Sequence, residues 1–402
     1  MTWAAAGELP DGFELAQQLA VLPAGPGRSF MVSLAARAGA SCALTSYNAL
    51  RSPRRRVARR VLGIGLRTGL AQPLLTSKID IGTAAGATGE QRAGALLSEH
   101  LSRLLRVGPV VIAIGGGGGP YRKPVVQVFS AGGTPLAYVK VGWNDWTREA
   151  VGREAAALRA CADRPMRLGV PALLHHCTWR GLDLVVTAPL PAGVRRVRTG
   201  SRLPDVELLR EISELSRPLA GELGTSPWWL GLRARIMAGV ADPATRGRLA
   251  RVADRIEGSH GRTPLAFGAW HGDLVPWNLA RLGTRLYAWD WESSTPDSPV
   301  GFDALHFHFQ VAFVGRQSCL DEAVALAERN AQPALAALGV TAETRDLVAT
   351  LHLVELAVRH EEARSSAGDG DDRFWPAAMR VLEQPHADPP GTSRLHFADR
   401  TA

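Results

Sequence analysis

Apolar and polar positions alternate with different periods along the chain, and each change of period marks an element. The segment EQRAGALLSEHLSRLLRVG sets Leu96, Leu97, Leu101, Leu104 and Leu105 on one helical face, so it predicts a single amphipathic helix. Short apolar runs follow: VVIAI, the loop GGGGGPYRK, PVVQVFS, the turn AGG and TPLAYVKVG. Strand, glycine loop, strand, turn and strand in that order predict an antiparallel meander. TREAVGREAAALRACA then reads as a helix, and LDLVVTAPLPAG as a strand ending near Thr187 to Leu190. Upstream, RSFMVSLAARAGASCALTSYN predicts two strands about a glycine-containing turn, SPRRRVARRVLGIGLR a basic helix, and SKIDIG a short strand. This is the pattern of a small α+β extension. Helical patterning dominates later, as at Val206 to Ser216, and the Pro-rich, polar end EQPHADPPGTSRLHFADRTA predicts a mobile tail.

Length and composition narrow the class. A chain of 402 residues suggests two lobes plus extensions, and 46% hydrophobic with 21% charged residues suits a soluble globular protein. No run approaches the roughly 20 apolar residues of a spanning helix, and the acidic N-terminal stretch lacks a basic region, so neither a membrane span nor a signal peptide is expected. The cytoplasm is the expected location. Cys42, Cys161, Cys177 and Cys319 lie far apart without a C-x-x-C pair, which suits reduced, buried thiols. The net charge of +8 raises the question of nucleic acid, but the run from Ser52 to Arg67 alternates arginine with Val57, Val61 and Leu62 at helical spacing. That reads as a solvated helix face, with no accompanying zinc finger or RNP motif. Of 46 basic residues only Lys78, Lys123 and Lys140 are lysine, so a lysine here hints at a task that needs a compact ammonium.

Gly115, Gly116, Gly117, Gly118 and Gly119 would let backbone N–H groups approach phosphate, although such runs also serve as hairpin loops, and neither the dinucleotide fingerprint nor the P-loop is matched. Lys140 lies inside an apolar strand and needs an anionic partner, for which Glu154 on the next helix is the candidate and Glu149 a competitor. A glycine loop, a strand lysine and a helix glutamate form the phosphate-gripping half of a kinase. WHGDLVPWN then carries Asp273 and Asn278 five apart, the spacing of a kinase catalytic loop, and LYAWDWE places Asp290 where a second metal ligand belongs.

With His271, Gly272, Asp273 and Asn278, then Asp290, Trp291 and Glu292, then Asp303 in GFDALHF, the stretch from 270 to 303 resembles the aminoglycoside phosphotransferase family, the small-molecule branch of the protein-kinase-like fold. The resemblance spans roughly residues 108 to 380. It implies an α+β, bilobal fold: a β-rich N-lobe at 108–190, an α-helical C-lobe at 191–384, and an N-terminal α+β extension at 1–107 that compact family members lack, with the tail at 385–402. It further implies that Asp273 orients or deprotonates the acceptor hydroxyl, that Asn278 and Asp290 hold Mg2+, and that Lys140, paired with Glu154, binds the phosphates of ATP or another nucleoside triphosphate. Thr187, Ala188 and Leu190 would form the adenine hinge, and His271 and Asp303 would brace the catalytic loop.

The acceptor stays open among aminoglycosides, amino sugars and other small alcohols. Trp228 and Trp229 offer a stacking surface or, alternatively, one core ring and one rim ring. Glu361, Glu362 and the GDGDD run at Gly368 to Asp372 are the acidic patches available to a polycation. His306, His308, His175 and His176 read as structural because none has a partner at metal-ligand spacing. A protein kinase would need a longer activation segment than ESSTPDSPVG. A catalytically silent nucleotide-binding protein would be expected to have lost one of Lys140, Glu154, Asp273, Asn278 or Asp290, and all are present.

Overall fold

The computed structural model describes residues 1–25, 28–45, 53–71, 75–117, 122–200, 202–367 and 374–384. Gly118, Gly119, the GDGDD run and the 385–402 tail lie outside the described residues. The architecture is α+β, as expected: the first half builds one large sheet with helices on it, and the second half is mainly helical with two small sheets.

The strands of the first half are β1 (Thr2–Ala5), β2 (Phe13–Gly25), β3 (Arg28–Ser33), β4 (Lys78–Ala84), β5 (Val110–Gly117), β6 (Val125–Ser130), β7 (Pro135–Gly142), β8 (Leu173–Trp179) and β9 (Leu182–Thr187). They form a nine-stranded antiparallel sheet in the order β1-β4-β2-β3-β5-β6-β7-β9-β8. The meander β5-β6-β7 is as the sequence predicts. The N-terminal region, however, continues the same sheet: Phe30 pairs with Gly115 and Val32 with Ala113. Gly115 to Gly117 are therefore strand, hydrogen-bonded to β3, and not part of an open loop.

Two further expectations are corrected. ARAGASCALT is not a strand but helix α1 (Arg37–Thr45), which buries Gly39, Ala40, Ala43 and Leu44, a helical recurrence of small residues. A Cβ at Gly39 would stand 2.5 Å from Val111, so glycine is what lets α1 lie on β5. The Glu90–Gly108 segment is not one helix but two, α3 (Gly89–Ala95) and α4 (Leu97–Leu104), because the buried Leu96 is extended at φ −108°, ψ 126°. The basic run forms α2 (Pro53–Thr68), on which Val57, Val61 and Ile64 are exposed.

Period-2 alternation in β5 sends its side chains to both faces. Val111 and Ala113 join Phe30, Ala40 and Leu44 on the α1 side, while Val110 and Ile112 join Leu101, Val126 and Val139 on the α4 side. Helix α5 (Asp145–Ala162), capped by an Asn144–Thr147 box, packs on β7 and β9.

The second half contains α6 (Val206–Ser213), α7 (Pro227–Gly239), α8 (Pro243–His260), α9 (Phe302–Gln310), α10 (Leu320–Ala337), α11 (Ala342–Ala367) and α12 (Phe374–Glu383). Among them lie β10 (Arg195–Arg196), β11 (Leu219–Glu222), β12 (Pro264–Trp270), β13 (Leu279–Leu282), β14 (Arg285–Ala288) and β15 (Thr295–Pro299), in the small sheets β10-β13-β14 and β11-β12-β15. One core unites this half around Trp229, Trp291, Phe302, Phe307 and Leu335. Trp228 and Trp229 are both buried there, which removes the stacking surface and the rim ring alike. Of the cysteines Cys161 is buried as expected, but Cys319 is exposed at the start of α10. No helix among the described residues is long and apolar enough to cross a membrane.

Candidate active site

Lys140 sits on β7 opposite Val125 and Val185, with its side chain largely buried where α5 crosses the sheet. Its Nζ lies 2.6 Å from Glu154 Oε2 and 3.3 Å from Glu292 Oε2, and also bonds Asp290. Glu149 takes no part, being exposed and paired with Arg153. Burial opposes the Lys140 charge, but Glu154, Asp290 and Glu292 together outweigh it and hold the pKa well above the usual lysine value. Burial lifts Glu154 to about 7 despite Lys140, because two further carboxylates crowd the same cation. Asp290 is held below the ordinary carboxylate range: burial would raise it, and Lys140 overrides that.

The turn expected to be catalytic begins where β12 ends. Gly272 has φ +81°, and a Cβ there would stand 2.2 Å from Ser293 O, so only glycine lets this turn pass the one that follows Asp290. Asp303, at the start of α9, accepts from the N–H of His271 at 2.9 Å and of Gly272 at 3.3 Å. Burial raises Asp303 to about 6 against those bonds. His271 is fully buried against Trp291, its Nδ1 accepts the Asp273 N–H at 3.2 Å, and burial depresses its pKa to about 4, which keeps it neutral. Both residues thus brace the turn, as the resemblance implies.

Asp273 is left with a partly exposed carboxylate. Asn278 Nδ2 donates to its Oδ2 at 2.8 Å, and His306 Nε2 lies 3.3 Å from its Oδ1. The turn Pro276–Asn278 leads into the β13–β14 hairpin, in which Leu279 faces Ala288. The Trp289 N–H donates to Asn278 O at 3.2 Å, so the hairpin carries Asp290 back beside Asn278. Asp290 itself is left-handed at φ 75°, ψ 54°, a strained conformation for a non-glycine residue. Single oxygens of Glu154, Asp290 and Glu292 lie within 4.8 Å of one another, a donor set of hard ligands that could hold a cation.

In the segment expected to be the hinge, Thr187 Oγ1 donates to Tyr138 O at 3.4 Å, and the Ala188 N–H is engaged by Ala172 O at 2.8 Å. Leu190 lies just beyond β9 and is partly buried. The acids at Glu361 and Glu362 are matched by arginine: Glu361 pairs with Arg364 and Glu362 with Arg235.

Four residues around this cluster were not named as site residues from the sequence. Lys123 Nζ lies 2.9 Å from Glu292 Oε1. Arg153 Nε donates to Glu292 O at 2.9 Å, and Arg359 of α11 donates to Gly272 O and Ser293 O at 3.0 Å each. His306, read as structural, touches Asp273, with His352 Nε2 behind it at 3.4 Å from its Nδ1. Lysine scarcity pointed towards Lys123. Nothing distinguished Arg153 or Arg359 from the many other arginines.

No protein-family model matches the chain, and no curated protein matches it in sequence. Among solved structures it is similar to the choline kinase LicA of Streptococcus pneumoniae, at 15% identity and TM-score 0.46 over 71% of this chain and 97% of that one. It is also similar to a thermostable mutant of the aminoglycoside phosphotransferase APH(4)-Ia in its apo form, at 14% identity and TM-score 0.47 over 72% and 100% of the two chains. A glucosamine kinase matches at 16% identity and TM-score 0.36 over 94% of each chain.

Proposed function

We propose that the chain is a small-molecule kinase of the aminoglycoside phosphotransferase type, which moves the γ-phosphate of ATP, with Mg2+, to a hydroxyl of a small molecule. The observation that carries this reading is the convergence on one ammonium group: Lys140 Nζ reaches Glu154 on α5 and Asp290 beyond β14, across the division between strands and helices. A lysine fixed in that way is a point charge for the α- and β-phosphates.

The donor set fits magnesium. Asp290, Glu292 and the Asn278 side-chain oxygen, whose amide nitrogen is already committed to Asp273, are all oxygen ligands. A bound Mg2+ would neutralise charge developing between the β- and γ-phosphates. Around it, the chain positions and accepts. Asn278 orients the Asp273 carboxylate, and His306 holds its other oxygen. Asp273 accepts the acceptor hydroxyl's proton as the oxygen attacks phosphorus and the bridge to the β-phosphate breaks, so that ADP leaves. Lys140 holds the polyphosphate through that exchange, and Glu154 keeps the ammonium aimed. A dispersed anionic transition state asks for positioning and charge more than for covalent help, and the site is built accordingly.

The acceptor is a small alcohol. Of the features that would single out a polycation or a stacked sugar, Glu361 and Glu362 are matched by arginine and both tryptophans lie in the core. A cytoplasmic location suits an ATP donor.

The test is calorimetric titration with a non-hydrolysable ATP analogue, with and without Mg2+. Wild type should bind more tightly with the ion, and Asp290→Ala should lose that increment while retaining metal-free binding. Equal binding with and without Mg2+ in wild type would remove the proposed metal ligands from the account.

A further inference from the structure

We propose that Lys123 is a second ligand for the nucleotide phosphates, held in reserve by Glu292 and released to the incoming polyphosphate. This inference rests on the kinase reading above and adds a residue to it.

Lys123 lies between the glycine strand β5 and β6, next to the nucleotide-facing end of the meander. Its side chain is 7% exposed, and its Nζ sits 2.9 Å from Glu292 Oε1 and 4.7 Å from the centroid of the Trp146 ring. The Trp143 indole donates to Arg122 O at 3.2 Å and so fixes the backbone just before it. Both tryptophans belong to the entry into α5, the element that also carries Glu154. The two lysines of the site are therefore positioned by one helix. In a chain that uses arginine almost everywhere, two of three lysines stand at this one place.

The charges around the two lysines are unequal. Lys140 has Glu154, Asp290 and Glu292, whereas among the described residues Lys123 forms an ion pair with Glu292 and meets Asp290 as a further, unpaired charge. Glu292 bridges them, one oxygen to each ammonium. When Mg2+ draws on Asp290 and Glu292, Lys140 retains Glu154, but Lys123 loses the carboxylate it is paired with and the more distant charge of Asp290 as well. A nearly buried ammonium without an anion is strongly unfavourable. Phosphate oxygens entering against the same carboxylate position restore that partner, and the compact ammonium can turn to meet them from its place over the Trp146 ring. The exchange swaps one anion for another around a fixed cation.

The experiment is calorimetric titration of wild type, Lys123→Met and Lys123→Arg with Mg–ATP analogue and with adenosine. Lys123→Met should weaken the ATP analogue by about tenfold to a hundredfold, the loss of one charge-assisted bond, with adenosine unchanged. Lys123→Arg should fall between. Equal loss for both ligands would make Lys123 a structural clasp and overturn the proposal, as would unaltered ATP binding in a folded Lys123→Met. A second measurement needs no change at Lys123: inorganic tripolyphosphate added to wild type should alter tryptophan fluorescence, and Trp146→Phe should remove the change. A response that persists in Trp146→Phe, or none in wild type, overturns the proposal. If wild type binds neither ATP nor its analogue, the kinase reading itself fails. If it binds them and Lys123→Met binds them equally, only this inference fails.

Discussion

Removing the Arg359 guanidinium should loosen the site without unfolding the chain. From α11 its Nη1 donates to Gly272 O and its Nη2 to Ser293 O, each at 3.0 Å, while Nε bonds Glu355 Oε1 at 2.7 Å and the guanidinium lies 4.3 Å over the Trp270 ring. Gly272 immediately precedes Asp273, and Ser293 follows Asp290 by three residues. One planar fork therefore ties the turn carrying the proposed base to the turn carrying the proposed metal ligand. In Arg359→Met the apolar stem remains, but two carbonyls lose charged donors at about 1.5 kcal/mol or more each. Glu355 keeps Arg235, which bonds both its oxygens at 2.9 and 3.0 Å, so no buried carboxylate is abandoned. The expected loss is about 3–4 kcal/mol in urea unfolding. Once an acceptor is in hand, a misplacement of the two turns should reduce kcat on the order of a hundredfold, with KM for ATP changed much less. Arg359→Lys should recover little, because an ammonium cannot span both carbonyls. A Met variant within about 1 kcal/mol of wild type, with kcat within about threefold, would refute the clamp.

Asp303→Ala leaves the buried N–H groups of His271 and Gly272 without their acceptor and should lower unfolding stability by about 2–4 kcal/mol. Asp303→Asn, which keeps one acceptor oxygen, should lose less. The folded-state pKa of His271 is depressed, so the unfolded chain takes up its proton first as pH falls and stability drains away between about 6.5 and about 4. The stability gap between wild type and His271→Gln should accordingly shrink by up to about 3 kcal/mol across that window, and a gap independent of pH would show His271 to be readily protonated in place.

Legibility followed the range of the interactions. The closeness of Asp273, Asn278 and Asp290 was readable because they flank one short hairpin, Leu279–Ala288, where spacing along the chain nearly determines spacing in the fold. Lys140 and Glu154 were readable for a different reason: a charge inside an apolar strand demands a partner, and the next helix offered few. Period alone misjudged the N-terminal region. ARAGASCALT has small residues at both strand and helix spacing, and what selects the helix is the close approach of Gly39 to Val111, a contact more than seventy residues away in sequence. The join of β3 to β5 was equally hidden, since an antiparallel pairing between distant strands leaves no mark in either one. Arg359 and Lys123 act through partners far along the chain, and only the fold shows which carbonyl or carboxylate each one meets.

The central claim is most directly tested by mixing γ-labelled ATP, Mg2+ and purified protein with a panel of amino sugars, hexoses, aminoglycosides, choline and other small alcohols, beside Asp273→Ala. The account predicts label transferred to a hydroxyl of at least one acceptor class, with stoichiometric ADP, and a rate about 10²- to 10⁴-fold lower in the variant, the range of a lost general base. Transfer that survives undiminished in Asp273→Ala, or a wild type that binds Mg–ATP yet passes label to no acceptor, would contradict it.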